Sequence, residues 1–201
     1  MMKIIGITGG VGAGKSRILK YMQDHWGAYV CSADEVGHAL QKQGERCYKG
    51  IVDYFGMEIL NEAKEINRDK LAEIVFSDQE KREALARTMH PFIRRKICDY
   101  IGQEKKKKTK YFILEGALLI EADYATICDE LWYIYATEDV RRERLKEARG
   151  YTDEKISEIF AAQLSQEEYQ AQCKYVIDNN GIFEETCRQI EALENRQDEI
   201  M

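Results

Sequence analysis

The most constraining feature of the sequence is the segment at residues 9–16, which reads Gly-Gly-Val-Gly-Ala-Gly-Lys-Ser and fits the phosphate-loop pattern G-x-x-x-x-G-K-[ST]. An apolar run at 3–8 stands directly before it, where a buried strand is needed to feed such a loop. The glycines allow successive N–H groups to turn inward around an anion, and the helix that follows adds its N-terminal partial positive charge. The sequence therefore predicts a strand, a loop and a helix that together bind a nucleoside triphosphate.

The side chains at the end of this loop are suited to phosphate chemistry. The ammonium of Lys15 can reach the β- and γ-phosphates, and the hydroxyl of Ser16 can ligate Mg²⁺. An ordinary glycine-rich turn is the alternative, but the complete pattern stands in the strand–loop–helix context that its mechanism requires. We therefore expect the triphosphate to be bound by Gly10, Val11, Gly12, Ala13, Gly14, Lys15 and Ser16.

Composition limits the functional class. The 201 residues are enough for one α/β domain with an inserted subdomain. With 30 Lys and Arg against 36 Asp and Glu, the net charge of −6 does not indicate a general nucleic-acid-binding surface. No apolar run reaches membrane-spanning length, no signal peptide is evident, and the six cysteines form no C-x-x-C pair. We expect a cytoplasmic protein with reduced thiols and no nucleic-acid or membrane partner, as a monomer or a weak homo-oligomer.

Apolar runs alternate with helical patterns along the chain. Helical spacing at 15–25 follows the loop, a strand is predicted at 28–31, and a helix beginning at Ser32 or Asp34 extends to about residue 42. Further strands are predicted at 111–115, 131–135 and 174–177. Strands separated by helices form parallel sheets that are covered on both faces. The sequence therefore predicts a three-layer α/β fold around a five-stranded parallel sheet.

Two stretches between the strands are predicted to be helical. The first, at about 45–108, has apolar residues at helical spacing almost throughout, and its only proline, Pro91, predicts that two helices meet near His90–Pro91. The lysines at 105–108 are expected to end a solvated helix. The second stretch, at about 138–165, contains a predicted break at Gly150 with a new helix cap at Thr152.

Arginines are concentrated in this second helical stretch, at positions 141, 142, 144 and 149. They fit an ordinary helix surface. They also fit a lid, which in phosphoryl-transfer enzymes closes over the site, excludes water and clamps phosphate oxygens. The residue pattern alone leaves both interpretations open.

Three polar residues stand at or after the ends of predicted strands and are candidates for the same site. Asp34 is either a general base or the cap of the next helix. Glu115 is placed to act on Mg²⁺ through water, or to pair with Lys15. Asn179, in the segment 178–181, is part of either a structural turn or a purine site, because ligands of such sheets bind outside the carboxyl ends of the strands.

A GTPase is not favoured, because no Asn-Lys-x-Asp segment is present. The chain instead has an ordered set of motifs: the loop, Ser32-Ala33-Asp34, His90-Pro91, Leu118-Leu119-Ile120-Glu121, residues 163–168, and Val176-Ile177-Asp178-Asn179. Taken in this order, the motifs resemble the dephospho-CoA kinase family over nearly the whole chain.

The resemblance implies a P-loop kinase fold in which the helical stretch at 45–108 forms a CoA-side subdomain and the stretch at 138–165 forms the lid. It implies transfer of phosphate from ATP, with Mg²⁺, to the ribose 3′-hydroxyl of dephospho-CoA. Under this interpretation, the catalytic residues are Asp34, Lys15 and Arg144. Arg149 and Asn179 bind ATP together with the loop. The acceptor is expected at Asp34, His90, Arg94 and Glu115.

The chain departs from the family pattern at several positions. Ser32 stands where the family has a first Asp, and Ile159 stands where a lid Arg is common. The others are Ala117 in place of Pro, Cys173-Lys174 in place of Ala-Asp, and a spacing to Arg149 that is longer by one residue. Two alternatives therefore stay open: another small-molecule kinase of the nucleoside-monophosphate type, and a nucleotide-binding module without turnover.

Overall fold

The computed structural model describes residues 1–198, and the side chains of residues 1–195. Five strands form one sheet in the order β2-β3-β1-β4-β5, and the pairs β1–β3, β1–β4 and β4–β5 are parallel. The strands are β1 (Lys3–Thr8), β2 (Tyr29–Ser32), β3 (Tyr111–Glu115), β4 (Glu130–Tyr135) and β5 (Tyr175–Asp178). The predicted α/β class and all five predicted strands are confirmed, each to within one or two residues.

Nine α-helices lie among residues 1–198. They are α1 (Lys15–Trp26), α2 (Ala33–Leu40), α3 (Arg46–Phe55), α4 (Arg68–Ser77), α5 (Gln79–Lys106), α6 (Glu138–Arg149), α7 (Asp153–Ala161), α8 (Gln166–Gln172) and α9 (Phe183–Asp198). None of these helices is both long and apolar enough to cross a lipid bilayer. The predicted break at Gly150 is confirmed: Gly150 ends α6 in the left-handed conformation, and the Thr152 hydroxyl caps α7 by accepting from the Lys155 N–H.

Both faces of the sheet carry buried side chains, because successive residues of a strand point to opposite faces. On one face, Ile7, Trp132 and Ile134 pack with Ile18 of α1 and Ile190 of α9. On the other face Phe112, Leu114 and Tyr133 are buried, and the Tyr133 ring stacks on Tyr169 of α8, with centroids 4.8 Å apart. Helices therefore cover both faces of the sheet, which gives the three predicted layers.

The chain divides into two compact units. One comprises Met1–Val30 together with the chain from Glu104 onward, and it contains the phosphate loop, most of the sheet and helices α6–α9. The other is Cys31–Gln103, which contains α2, α3, α4 and most of α5 around its own buried apolar residues. These include Ile51, Phe55, Ile59, Leu71, Met89, Ile93 and Ile97.

The stretch at 45–108 differs from its prediction in two places. Helix α5 runs without interruption through Pro91, so the expectation that two helices meet at His90–Pro91 is wrong. Proline removes one backbone donor and costs about 3 kcal/mol inside a helix, but the apolar stripe of Met89, Ile93 and Ile97 continues across it and is buried on both sides. Between α3 and α4 the chain has no α-helix: a 3₁₀ turn at Met57–Ile59 is followed by an antiparallel bridge between Leu60 and Ile66.

All six cysteines are unpaired, but their environments differ. Burial raises the pKa of Cys31, Cys128 and Cys173 to about 12. The pKa values of Cys47 and Cys187 are also raised, chiefly by burial. Cys98, on α5, is exposed.

Candidate active site

The loop between β1 and α1 has the geometry that its sequence predicts. Gly14 adopts φ +90° at the start of α1, a conformation that side chains resist. A Cβ atom there would lie 2.3 Å from the Asn179 amide nitrogen, so the close approach requires glycine. The loop is thereby drawn against the turn that follows β5.

The side chains at the base of the loop leave polar groups available for a ligand. The Lys15 ammonium donates to the Gly9 carbonyl at 2.7 Å, which keeps it folded over the loop. Ser16 is exposed in the first turn of α1, and its hydroxyl makes no hydrogen bond to residues 1–198. The Thr8 hydroxyl, just before the loop, is fully buried and has no hydrogen-bond partner among the described residues. A hydroxyl beside a concave run of backbone donors fits a magnesium–triphosphate complex.

Asn179 and Arg144 converge on the Ala13 carbonyl from two different elements. The buried Asn179 amide donates to this oxygen at 2.7 Å, and Arg144 Nη1 donates to it at 3.4 Å. Arg144 Nη2 also donates to the Asn179 carbonyl at 2.8 Å, while Thr186 holds the Asn179 side-chain oxygen at 2.9 Å. The structure therefore brings the predicted residues Arg144 and Asn179 to the loop. Asn179 therefore contacts the phosphate loop and is not only part of a structural turn after β5.

Two residues at the loop were missed as site residues. Arg141 Nε donates to the Val11 carbonyl at 2.9 Å, and Gln163, just after α7, accepts from the Val11 N–H at 3.3 Å. From sequence, Arg141 fits either a helix surface or a lid, and Gln163 contributes only to the family resemblance. The spacing of three residues between Arg141 and Arg144 places both on one face of α6, and this was the available signal.

A cavity of about 390 Å³ adjoins these residues at the carboxyl end of β4. Its aromatic walls are Tyr133, Tyr135 and Phe160, and Arg141 and Gln163 line it as well. Ligands of parallel α/β sheets bind outside the carboxyl ends of the strands, so the cavity lies where an active site is expected.

The other predicted residues are distributed over both compact units. Glu115 ends β3 opposite Ile7 of β1, in the unit that holds the loop. Arg149, the last residue of α6, lies over the Tyr151 ring, and a hydrogen bond from it lowers the pKa of Tyr151. In the other unit, His90 and Arg94 lie one turn apart on α5, and burial lowers the pKa of His90.

Asp34 lies in the first turn of α2 and is not its cap. The Ser32 hydroxyl has that role, since it accepts from the Glu35 N–H at 3.4 Å. The capping interpretation of Asp34 is therefore wrong. The exposed Asp34 carboxylate makes no hydrogen bond or ion pair with residues 1–195, and it lines a cavity of about 250 Å³ with His38 and Met89.

The strand order, the phosphate loop between β1 and α1, and the arginines after β4 define a P-loop kinase. Residues 3–185 match the family model for dephospho-CoA kinase (CoaE). The chain belongs to the dephospho-CoA kinase family, whose members are ATP-dependent kinases.

Curated relatives match over nearly the full chain. A dephospho-CoA kinase of Streptococcus mutans is 36% identical over 96% of each chain. One of Geobacillus kaustophilus is 35% identical over 100% of this chain and 99% of its own.

Solved structures show the same fold. TT1252 from Thermus thermophilus is 26% identical and superposes with a TM-score of 0.83 over 97% of each chain. Dephospho-CoA kinase from Campylobacter jejuni, at 22% identity, gives a TM-score of 0.70 over 98% of this chain and 100% of its own. A shikimate kinase from Acinetobacter baumannii, 12% identical over 98% of this chain and 95% of its own, shares the fold with a TM-score of 0.57.

Proposed function

We propose that this chain transfers the γ-phosphoryl group of ATP to the ribose 3′-hydroxyl of dephospho-CoA, which completes coenzyme A. The observation that carries the proposal is the convergence of Arg144 and Asn179 on a phosphate loop, in a chain whose residues 3–185 match the family model for dephospho-CoA kinase. We also propose that it acts in the cytoplasm as a monomer or a weak homo-oligomer, without nucleic-acid partners.

In this proposal the loop and its neighbours bind ATP. Residues Gly10 to Ser16 bind the phosphates through backbone N–H groups other than those of Val11 and Ala13, which donate to Gln163 and to the Gly10 carbonyl. The Lys15 ammonium neutralises charge on the β- and γ-phosphates. Ser16 would hold Mg²⁺, which supplies further charge neutralisation when bound. Arg144 stabilises the transferring group, while Arg149 and Asn179 complete the nucleotide site.

The residues proposed for the acceptor are Asp34, His90, Arg94 and Glu115. Asp34 accepts the proton of the attacking hydroxyl, which suits an exposed carboxylate that pairs with no cation among residues 1–195. His90 and Arg94 on α5, together with Glu115, bind dephospho-CoA. A guanidinium such as that of Arg94 suits a diphosphate, and the helical stretch at 45–108 suits a long acceptor with a pantetheine arm. The lid at 138–165 closes over the reacting phosphate.

A coupled ADP-release assay tests the proposal by comparing dephospho-CoA with AMP and adenosine as acceptors. We expect kcat/KM for dephospho-CoA to be at least about 100-fold higher, because binding energy from the diphosphate and pantetheine arm positions the 3′-hydroxyl. Mass spectrometry and NMR should identify the product as 3′-phosphorylated. Lys15→Ala is the control for contaminating kinases and should lose activity by orders of magnitude while remaining folded.

Two results would contradict this proposal, and each would favour a different function. Equal or better turnover of AMP would favour a nucleotide kinase. ATP binding without acceptor-dependent ADP release would favour a nucleotide-binding module, the alternative raised by Ser32 and Ile159.

A further inference from the structure

Val11, at the apex of the phosphate loop, is held by side chains from outside the loop. Its carbonyl accepts from Arg141 Nε at 2.9 Å, and its N–H donates to Gln163 Oε1 at 3.3 Å. The same Gln163 oxygen accepts from Arg141 Nη2 at 2.5 Å. The three residues therefore form a closed ring of hydrogen bonds that joins the loop, α6 and the segment after α7.

The ring is tightly packed against the loop backbone. A Cβ atom on Gly10 would lie 2.3 Å from Arg141 Nη2, so the guanidinium occupies space that only glycine leaves open. On its other side, the Arg141 guanidinium carbon lies 4.1 Å from the centre of the Phe160 ring. The guanidinium is thus fixed between the loop and an aromatic ring of α7.

Arg141 forms no salt bridge with a carboxylate among residues 1–195, whereas its neighbour Arg142 pairs with Asp153 at 3.0 Å. The Arg141 side chain is half-buried, and burial lowers its pKa more than the nearby Tyr133 and Glu138 raise it. Removing a cation partly from water without a salt bridge is costly for folding, so its position at a phosphate loop points to a role with the ligand.

We propose that Arg141 is a positioning residue that fixes the apex of the phosphate loop by bridging Val11 and Gln163, and so links nucleotide affinity to the lid segment. It acts through the shape of the loop rather than by reaching the phosphates. The Arg fork suits this function because Nε and Nη2 donate to two acceptors at once, which a lysine ammonium on a flexible stem does not reproduce.

The test measures binding of Mg²⁺–ATP by calorimetry to the wild type, Arg141→Gln, Arg141→Lys, Gln163→Leu and the double variant Arg141→Gln/Gln163→Leu. We expect Arg141→Gln to weaken ATP binding about tenfold, the usual effect of losing a charge-assisted hydrogen bond. Arg141→Lys should stay within about threefold of Arg141→Gln despite its charge. The double variant should bind about as weakly as the weaker single variant, because both substitutions break the same ring.

Arg142→Gln is the matched control. It removes the same charge from the next residue of α6 and breaks contacts with Asp153 and Ser157, but it does not touch the loop. We expect its ATP affinity to stay within about twofold of the wild type. Thermal unfolding establishes that each variant is folded, and Arg141→Lys and Gln163→Leu keep the test decisive if Arg141→Gln does not fold.

Three results would overturn the inference: wild-type affinity in Arg141→Gln, restored affinity in Arg141→Lys, or additive losses in the double variant. The link to catalysis rests on the proposed function. In that assay KM for ATP should rise in Arg141→Gln while KM for dephospho-CoA stays within about twofold. Because ATP binding needs no acceptor, failure of dephospho-CoA as a substrate would reject the proposed function and leave the binding test intact.

Discussion

Asp34 and Ser32 have separate roles at the start of α2. The Ser32 hydroxyl accepts a hydrogen bond from the backbone N–H of Glu35 and so caps α2. The Asp34 carboxylate is therefore not needed as a cap. Asp34 is exposed and adds a negative charge to the first turn of the helix, which stabilises a helix by about 0.3–1 kcal/mol. Its proposed catalytic role and its structural role can therefore be separated by a substitution.

Replacing Asp34 with Asn removes the proton acceptor and keeps the size of the side chain. We expect kcat to fall by about 10²–10⁴ and ATP affinity to be retained, while the free energy of unfolding falls by no more than about 1 kcal/mol. Steady-state kinetics and urea unfolding measure the two effects. Replacing the neighbouring exposed Glu35 with Gln is the control, and a kcat for Asp34→Asn equal to that of the wild type would reject the general-base role.

The phosphate loop could be located from sequence because its function depends on a fixed local pattern of residues. The contacts of Arg141 and Gln163 with Val11 could not be located in this way, because they join residues 130 and 152 positions apart and form only through folding. Sequence indicated that Asn179 follows a strand, but its bond to the Ala13 carbonyl required the order of β1, β4 and β5 in the sheet.

At the scale of elements, tertiary packing keeps α5 continuous despite the local tendency of Pro91 to end a helix. The tendency of proline to end a helix depends only on adjacent residues. The burial of Met89, Ile93 and Ile97 depends on tertiary packing, which the local sequence does not reveal. Strand positions were predictable because apolar runs are local signals. The continuity of a helix through Pro91 depends on the whole compact unit.

Replacing Pro91 with Ala tests whether this proline has a functional role. Alanine restores the backbone N–H that can bond the Arg87 carbonyl, so we expect the free energy of unfolding to rise by about 1–3 kcal/mol. If the local geometry at His90 and Arg94 serves the acceptor, kcat/KM for dephospho-CoA should fall while KM for ATP stays constant. Unchanged kinetics in a more stable variant would assign Pro91 no part in acceptor binding.

At the scale of the whole molecule, one buried carboxylate ties three strand regions together. Glu130 of β4 accepts from Trp132 Nε1 at 3.0 Å and from Lys174 Nζ at 2.9 Å, and Lys3 Nζ lies 3.3 Å away. Burial opposes its charge, but the bonds from Lys174, Trp132 and Lys3 prevail and hold the pKa of Glu130 below its ordinary value. Lys174, a departure from the family pattern, therefore has a structural partner.

Replacing Glu130 with Gln should lower the free energy of unfolding by about 2 kcal/mol at pH 7. Because the pKa of Glu130 is lower in the folded state, its contribution is complete above about pH 4.5 and is lost as the pH falls toward the folded value. Urea unfolding at pH 7 and pH 4 should therefore show a smaller difference between variant and wild type at pH 4.

Asp24→Asn, in the exposed Lys20–Asp24 pair, is the control for the Glu130 experiment and should cost less than about 1 kcal/mol. A difference between Glu130→Gln and wild type that grows as the pH falls would contradict the assignment.

The cysteine environments make the native protein a selective target for chemical labelling. Thiolates, not thiols, react with maleimides and aromatic disulfides, and five of the six cysteines have raised pKa values. We expect one rapid equivalent per chain, at Cys98, and all six after denaturation; the rapid reaction should disappear in Cys98→Ser. A single fluorophore or spin label can therefore be placed on α5 without removing other cysteines. The same low reactivity protects these five cysteines, but not Cys98, from mixed disulfides with the thiol of the proposed substrate and product.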